Sequence, residues 1–291
     1  MIATQLERDT YCLRRAGFLT VPNFVPNDVM DRIERAAYDW EDEIERFKAA
    51  GAHVPLKHFR PLTTTRCLHA ISTDIQNIAM APRIQEIAAG YLPKPVLRDC
   101  VVQSNMPDAH NAARGVNGPV SYHRDALWSG APSPMYLHVF LLLTDFTPEN
   151  GATLLVPGSH LVREPGYYFK RTDPRGRVDG IEYTVYEKSY FGSAVHLSAP
   201  RGSLIFMDGT SIHTQGANTT PHKRSMVNIT FKDLAAPGWP ELLNARQIAS
   251  RYSRVPVRPD LLEQLEVDAN RPDTYGPLGN PWPATAEATP A

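Results

Sequence analysis

A succession of short apolar segments, each ended by a glycine- or proline-bearing turn, runs through residues 96–232 and limits this chain to folds in which many strands pair in a small space. The segments are 96–104, 135–146, 152–156, 194–197, 202–207 and 225–232. Before them the pattern is helical. Residues 3–15 read as a helix ending near Gly17, and a short strand over 18–21 follows. Between residues 29 and 47, Met30, Ile33, Ala36, Ala37 and Trp40 recur at helical spacing, and a further helix is expected over 82–91. The 26 prolines among 291 residues remove backbone donors and favour turns and edges. Helices followed by antiparallel-type strands predict a mainly β protein with flanking helices, built on a jelly-roll core. A single domain is expected over 1–291. Residues 1–94 would form a mostly helical buttress, 95–235 the core with the connection 160–193 as a lid, and 236–291 a C-terminal extension with an extended end.

Charge narrows the partners. With 30 Lys+Arg against 31 Asp+Glu, the net charge of -1 offers no global attraction for nucleic acid or an anionic membrane, so a small-molecule substrate is expected. The apolar run 136–143 is broken by His138 and falls well short of the roughly 20 residues a spanning helix needs. Glu7, Arg8 and Asp9 interrupt any secretory pattern in the first ten residues, which leaves a cytoplasmic location as the expectation. Cys12, Cys67 and Cys100 show no metal-type C-x-x-C spacing and read as reduced thiols. A monomer or homodimer is the expected assembly.

The chemistry concentrates in three places. Tyr122-His123-Arg124-Asp125 carries a His-x-Asp pair, and in an extended segment residues two apart project to the same face. The pair is weak by itself, because 10 histidines and 31 acidic residues make about one His-x-acid pair expected by chance. His213 strengthens it, following the apolar segment 202–207 through Asp208-Gly209-Thr210-Ser211-Ile212. Two histidines and one carboxylate form the facial triad that holds non-haem Fe(II) with open positions, although imidazole and carboxylate also suit zinc. His123 and His213 are too far apart for a local metal loop and suit two distant strands that meet inside a barrel. Arg224 opens the last strand, where Arg224, Met226, Asn228 and Thr230 share one face and Val227, Ile229 and Phe231 the other. Its planar guanidinium can grip a carboxylate with two hydrogen bonds.

With these residues in place the chain resembles the phytanoyl-CoA dioxygenase branch of the Fe(II)/2-oxoglutarate-dependent oxygenases. The likeness includes Gly17-Phe18-Leu19 after the first helix, His123-Arg124-Asp125, and Asn150-Gly151-Ala152 leading to Val156-Pro157-Gly158-Ser159-His160. It also includes the His213 to Arg224 interval with Gly216-Ala217-Asn218 between, and covers most of residues 10–232. The resemblance implies a double-stranded β-helix, cupin-like core, with His123, Asp125 and His213 as iron ligands and Arg224 as the anchor for 2-oxoglutarate. Gln103 or Asn105 would add a polar contact to that co-substrate. Related halogenases carry a small residue where Asp125 stands, so oxygenation is favoured over halogenation.

The implied reaction uses Fe(II), 2-oxoglutarate and O2 to oxidise a small molecule, in secondary metabolism, by hydroxylating an unactivated C–H bond with release of succinate and CO2. Desaturation or ring formation would need the same protein groups. Two other readings use the same scaffold. A cupin-like metalloenzyme working without 2-oxoglutarate would leave Arg224 without a task, and a non-catalytic ligand-binding protein would need a damaged triad or a missing anchor. Substrate-wall candidates are Trp128, which reads equally as a core aromatic, and Tyr167, Tyr168 and Arg163 in the connection 160–193, which reads equally as a solvated loop. His160 reads as a residue closing the Pro157-Gly158-Ser159 turn, and His138 as a hydrogen-bonded core histidine.

Overall fold

A computed structural model describes residues 3–49, 68, 72–108, 122–125, 136–161, 167–172, 178–186 and 192–233. The N-terminal part contributes α1 (Gln5–Ala16), β1 (Phe18–Val21), α2 (Asn27–Ala49), α3 (Thr73–Ala79) and α4 (Pro82–Tyr91). The rest contributes β2 (Pro95–Asn105), β3 (Tyr122–Arg124), β4 (Tyr136–Leu142), β5 (Leu154–Leu155), β6 (Tyr167–Thr172), β7 (Val178–Tyr186), β8 (Val195–His196), β9 (Leu204–Asp208), β10 (His213–Thr214) and β11 (Arg224–Asp233). The expected C-terminal extension, Cys67, Trp128 and Arg163 lie outside the described residues.

Local chemistry sets the helix ends. Thr4 caps α1 by accepting from the Glu7 N–H, and the Glu7 carboxylate accepts from the Thr4 N–H in return, completing a capping box. The helix stops at Gly17, whose φ of 82° is left-handed and whose N–H donates to Leu13 O. Ser72 caps α3 through the Ile75 N–H, and Pro82 starts α4 where no donor is needed.

Two antiparallel sheets face each other. One has the strand order β1-β9-β4-β11-β2, the other β6-β7-β3-β10-β5-β8. This is the jelly-roll core, with the helices stacked on the outside of the five-stranded sheet. Side-chain alternation explains the stacking. Leu137, Val139 and Leu141 of β4, Val227, Ile229 and Phe231 of β11, and Leu204 and Phe206 of β9 pack in one cluster with Leu13, Met30, Ile33, Ile84 and Ile87 of the helices. The opposite faces of the same strands supply Phe140, Leu142, Ile205, Met207 and Met226, which meet Ala152, Leu155 and Leu197 between the sheets. Each such side chain, fully buried, contributes about 1.5–3 kcal/mol. Among the described residues no helix is long and apolar enough to cross a membrane.

The connection 160–193 departs from the expected loop. It contains β6 and β7, paired antiparallel with each other, and β7 pairs with β3. Its stretch of charged residues and Asp-Pro turn signal hid a hairpin, because strand propensity depends on what the strand lies beside. The two-residue β10 and the seven-residue α3 were equally hard to read, being too short to show a period, whereas β5 and β8 fall within the expected segments 152–156 and 194–197.

Gly17 links helix to sheet. Its carbonyl accepts from Asp208 N, and a Cβ there would stand 2.5 Å from Ser211 Oγ and 2.6 Å from His160 Nδ1. Gly17→Ala therefore meets both a strained φ and a steric clash. Urea unfolding is expected to show a loss of roughly 1–3 kcal/mol, with an unchanged dependence on denaturant concentration.

Candidate metal centre

The site starts from backbone pairing. In the antiparallel pair of β3 and β10, His123 stands directly opposite His213, so residues remote in sequence occupy one register position. Immediately after β3, the Asp125 N–H donates to Gly209 O at 3.0 Å, which ties the end of β3 to the turn before β10. His213 is 7% exposed. Its Nδ1–H donates to Ser211 O at 2.9 Å, leaving the Nε2 lone pair available. That Nε2 lies 3.3 Å from Asp125 Oδ2, a spacing two ligands of one divalent ion can share.

Buried hydrogen bonds hold the two segments that carry the expected ligands. Arg124, between the His-x-Asp pair, is buried, and its Nη1 donates to Ser159 O at 2.9 Å and also to Thr210 O. Ser159 Oγ in turn accepts from Ile212 N at 2.8 Å. Asp208 organises the turn before His213, accepting from Thr210 N at 2.6 Å, from Thr210 Oγ1 at 2.5 Å and from the Tyr91 hydroxyl at 2.5 Å. Burial, and then the Asp208 charge, pushes the Tyr91 pKa far above its ordinary value, so its hydroxyl stays protonated and donates. His160 ties the neighbouring turn to α1 by donating from Nε2 to Arg14 O at 3.0 Å.

Arg224 is buried on the inner face of the five-stranded sheet, its guanidinium carbon 4.4 Å from the centre of the Phe146 ring. Nη1 is 3.9 Å from Met226 Sδ, while Nε is buried without a hydrogen-bond partner. Among the described residues no carboxylate pairs with it, and burial pushes its pKa down to about 9. A buried cation in this state is matched by an anion. A carboxylate laid against it would supply the missing acceptors.

The other expected contacts separate. Gln103 lies half-buried on β2 in register with Met226, on the Arg224 face. Asn105 is opposite Arg224, but its Nδ2 donates to Gly216 O at 3.0 Å and to Gly151 O at 3.4 Å, and its own carbonyl accepts from Asn218 Nδ2 at 2.9 Å. These bonds commit its amide nitrogen to structural partners. Asn105 fastens two turns whose buried carbonyls need donors. Tyr167 and Tyr168 fall on β6, at the edge of the six-stranded sheet. Tyr167 pairs in register with Val185, as does His123 from the other side, which puts it in the row of the expected ligands; Tyr168 falls in the row of Arg124.

His138 is the hydrogen-bonded core histidine that the sequence indicates. Its Nδ1 is hydrogen-bonded within the core, yet Nε2 reaches to 3.0 Å from Asp125 Oδ2. A usable signal was present: a lone histidine in an apolar strand, with Asn228 and Thr230 the polar residues on one face of another.

Replacing Arg124 with methionine keeps much of its volume and removes the donors to Ser159 O and Thr210 O. Chemical denaturation is expected to show about 1–3 kcal/mol of lost stability.

The profile of the family described as phytanoyl-CoA dioxygenase matches residues 13–226. The chain is 28% identical over 183 residues to phytanoyl-CoA dioxygenase domain-containing protein 1 of Danio rerio, covering 59% of this chain and 57% of that one, just over half the relative's length. To the ectoine dioxygenase of Bordetella bronchiseptica it is 28% identical over 218 residues, 68% of each chain. Among solved structures, EctD from S. alaskensis with bound Fe superposes with a TM-score of 0.56 at 17% identity, covering 80% of this chain and 77% of that one. The non-heme alpha ketoglutarate dependent epimerase SnoN from nogalamycin biosynthesis gives 0.52 at 22% identity, covering 78% and 80%. These two likenesses establish the shared fold. The profile match runs from the last turn of α1 into β11 and takes in β3, Asp125, β10 and Arg224: the chain belongs to the phytanoyl-CoA dioxygenase family.

Proposed function

We propose that this chain is an Fe(II)/2-oxoglutarate-dependent dioxygenase that hydroxylates a C–H bond of a small organic molecule. The observation that carries the reading is Arg224, a buried guanidinium with an unmatched Nε, on the inner face of the sheet that confronts Asp125 and His213. The donor set of two imidazoles and one carboxylate suits Fe(II), and the unmatched cation suits a dicarboxylate co-substrate.

In this reading His123, Asp125 and His213 hold the iron. Arg224 receives the distal carboxylate of 2-oxoglutarate in a two-point grip, with Phe146 flat against the guanidinium to keep water off. Gln103 supplies a further polar contact from the adjoining strand. When bound, the metal and co-substrate couple O2 to the oxidative decarboxylation of 2-oxoglutarate, one oxygen atom entering succinate and the other the substrate, with CO2 released. The protein supplies position and exclusion of water. Tyr167 is the better placed of the tyrosine doublet to border the substrate, since it shares the ligands' register row. Trp128 and Arg163 remain candidates for the same wall.

The named relatives act on or are named for small molecules, among them ectoine and nogalamycin, which supports a small-molecule substrate here and a place in secondary metabolism. Arg224 weighs against a metalloenzyme working without a 2-oxo acid.

Anaerobic addition of Fe(II) and then 2-oxoglutarate to metal-free protein is expected to produce the weak visible charge-transfer band of a chelated 2-oxo acid. Metal bound with no band on adding 2-oxoglutarate would count against the reading. His213→Ala is expected to lose metal and turnover together. Arg224→Ala is expected to keep the metal and weaken 2-oxoglutarate binding by about 1.5–3 kcal/mol, read by titrating the band.

A further inference from the structure

Arg224 is bracketed by residues that turn away from it. It faces the interior, while Lys223 and Ser225 on either side reach toward α2. Lys223 Nζ lies 3.0 Å from Glu41 Oε2 and 3.5 Å from the centre of the Tyr38 ring. Ser225 Oγ is 2.8 Å from Oγ of its register partner on β2, Ser104, which donates to Glu41 Oε1 at 3.0 Å. Ser104 has one hydroxyl proton and Glu41 takes it, so Ser225 is the donor in the serine pair. Both oxygens of one carboxylate, on a residue 6% exposed, are thereby tied to the neighbours of Arg224.

We propose that Glu41 is a positioning residue for Arg224: its carboxylate fixes the start of β11 against α2 and so aims the guanidinium at the co-substrate. This deepens the reading of Arg224 as the 2-oxoglutarate anchor and rests on it.

Arg224 sits where two strands end. It is the first residue of β11 and stands opposite Asn105, the last of β2, which is an edge strand of its sheet. Pairing of β11 with β4 starts only at Met226, so Arg224 has a ladder partner on one side. Bonds from Leu143 N to Ser225 O at 3.0 Å and from Ser225 N to Thr144 Oγ1 at 3.1 Å hold the next residue from the β4 side. Glu41 supplies the hold from the helical layer. A guanidinium at the end of a long side chain magnifies any rotation of its backbone, and a two-point grip tolerates little of it. Ser104 also adjoins Gln103, so the same carboxylate steadies both strands at this end of the interior.

Charge is part of the clamp. Burial raises the Glu41 pKa, and Lys223 and then Ser104 work against that rise. A buried ion pair adds little stability over apolar residues of equal volume, yet its two members must stay in contact. Removing both members together therefore separates placement from stability. It also leaves the net charge of the chain unchanged, so long-range attraction for a dianion stays the same.

The test is titration of 2-oxoglutarate into the anaerobic Fe(II) protein, read by the charge-transfer band, with Fe(II) affinity and urea unfolding measured on the same variants. Glu41→Leu/Lys223→Met is expected to unfold near the wild-type midpoint and to bind Fe(II) as wild type does. Its 2-oxoglutarate dissociation constant is expected to rise roughly tenfold, the size of one weakened charge-assisted hydrogen bond. Ser104→Ala keeps the ion pair but cuts its link to Ser225, and is expected to raise that constant about threefold. It carries the comparison should the double variant fail to fold. Wild-type 2-oxoglutarate affinity in the double variant, or in Ser104→Ala where that stands in, overturns the proposal and leaves Arg224 as the anchor. Parallel loss of Fe(II) and 2-oxoglutarate affinity would make the pair a general support of the fold, which overturns it too. Absence of the band in wild type, or wild-type affinity in Arg224→Ala, overturns the anchor reading itself, and this role with it.

Discussion

The pairing of β3 with β10 is the constraint on which the rest of the site depends. It sets His123 opposite His213 and brings Asp125 to the turn at Gly209. Strand side chains alternate with a period of two, so a slip of one residue would exchange every inward position for an outward one. Two very short strands cannot enforce register by hydrogen bonds alone. The enforcement comes from around them: Arg124 donating across to Ser159 and Thr210, Ser159 receiving Ile212, and Asp208 gathering Thr210 and Tyr91. Tyr91 belongs to α4, so the helical layer reaches through to the turn that leads into His213.

The five-stranded sheet has two distinct faces for a physical reason. Outward it is mainly apolar, matching the amphipathic helices, with Asp208 and Ser104 hydrogen-bonded to Tyr91 and Glu41 of those helices. Inward it mixes apolar residues with Arg224, Asn228, Thr230 and His138, groups that would be costly between sheets without partners. His138 Nδ1 meets Asn228 and Thr230, while His138 Nε2, 3.0 Å from Asp125 Oδ2, and Arg224 Nε are both buried without a hydrogen-bond partner among the described residues.

The helices over 3–15, 29–47 and 82–91 were legible because their apolar periods run over several turns, and they appear as α1, α2 and α4. The alternation in 225–232 likewise gave the facing of β11 correctly, from Arg224 and Asn228 inward to Val227 and Phe231 outward. The hairpin of β6 and β7 was not legible, since its charged residues and turn signals look the same in a solvated loop; only pairing with β3 makes it sheet. The contacts of Asn105 and His138 were not legible for a related reason. Each was judged on its own strand, and each is defined by groups arriving from another: the Gly151 and Gly216 carbonyls for one, the Asp125 carboxylate for the other.

By itself, then, the sequence determined which chemistry was available: two histidines and an aspartate with metal-ligand character, an arginine opening an inward-facing strand, and the apolar periods that force helices onto a β core. Those properties are local, fixed by residue type and by the repeat of helix or strand. The tertiary structure alone decided which polar groups meet, because hydrogen bonds between residues a hundred positions apart depend on strand order and register. Neither is written in any single segment.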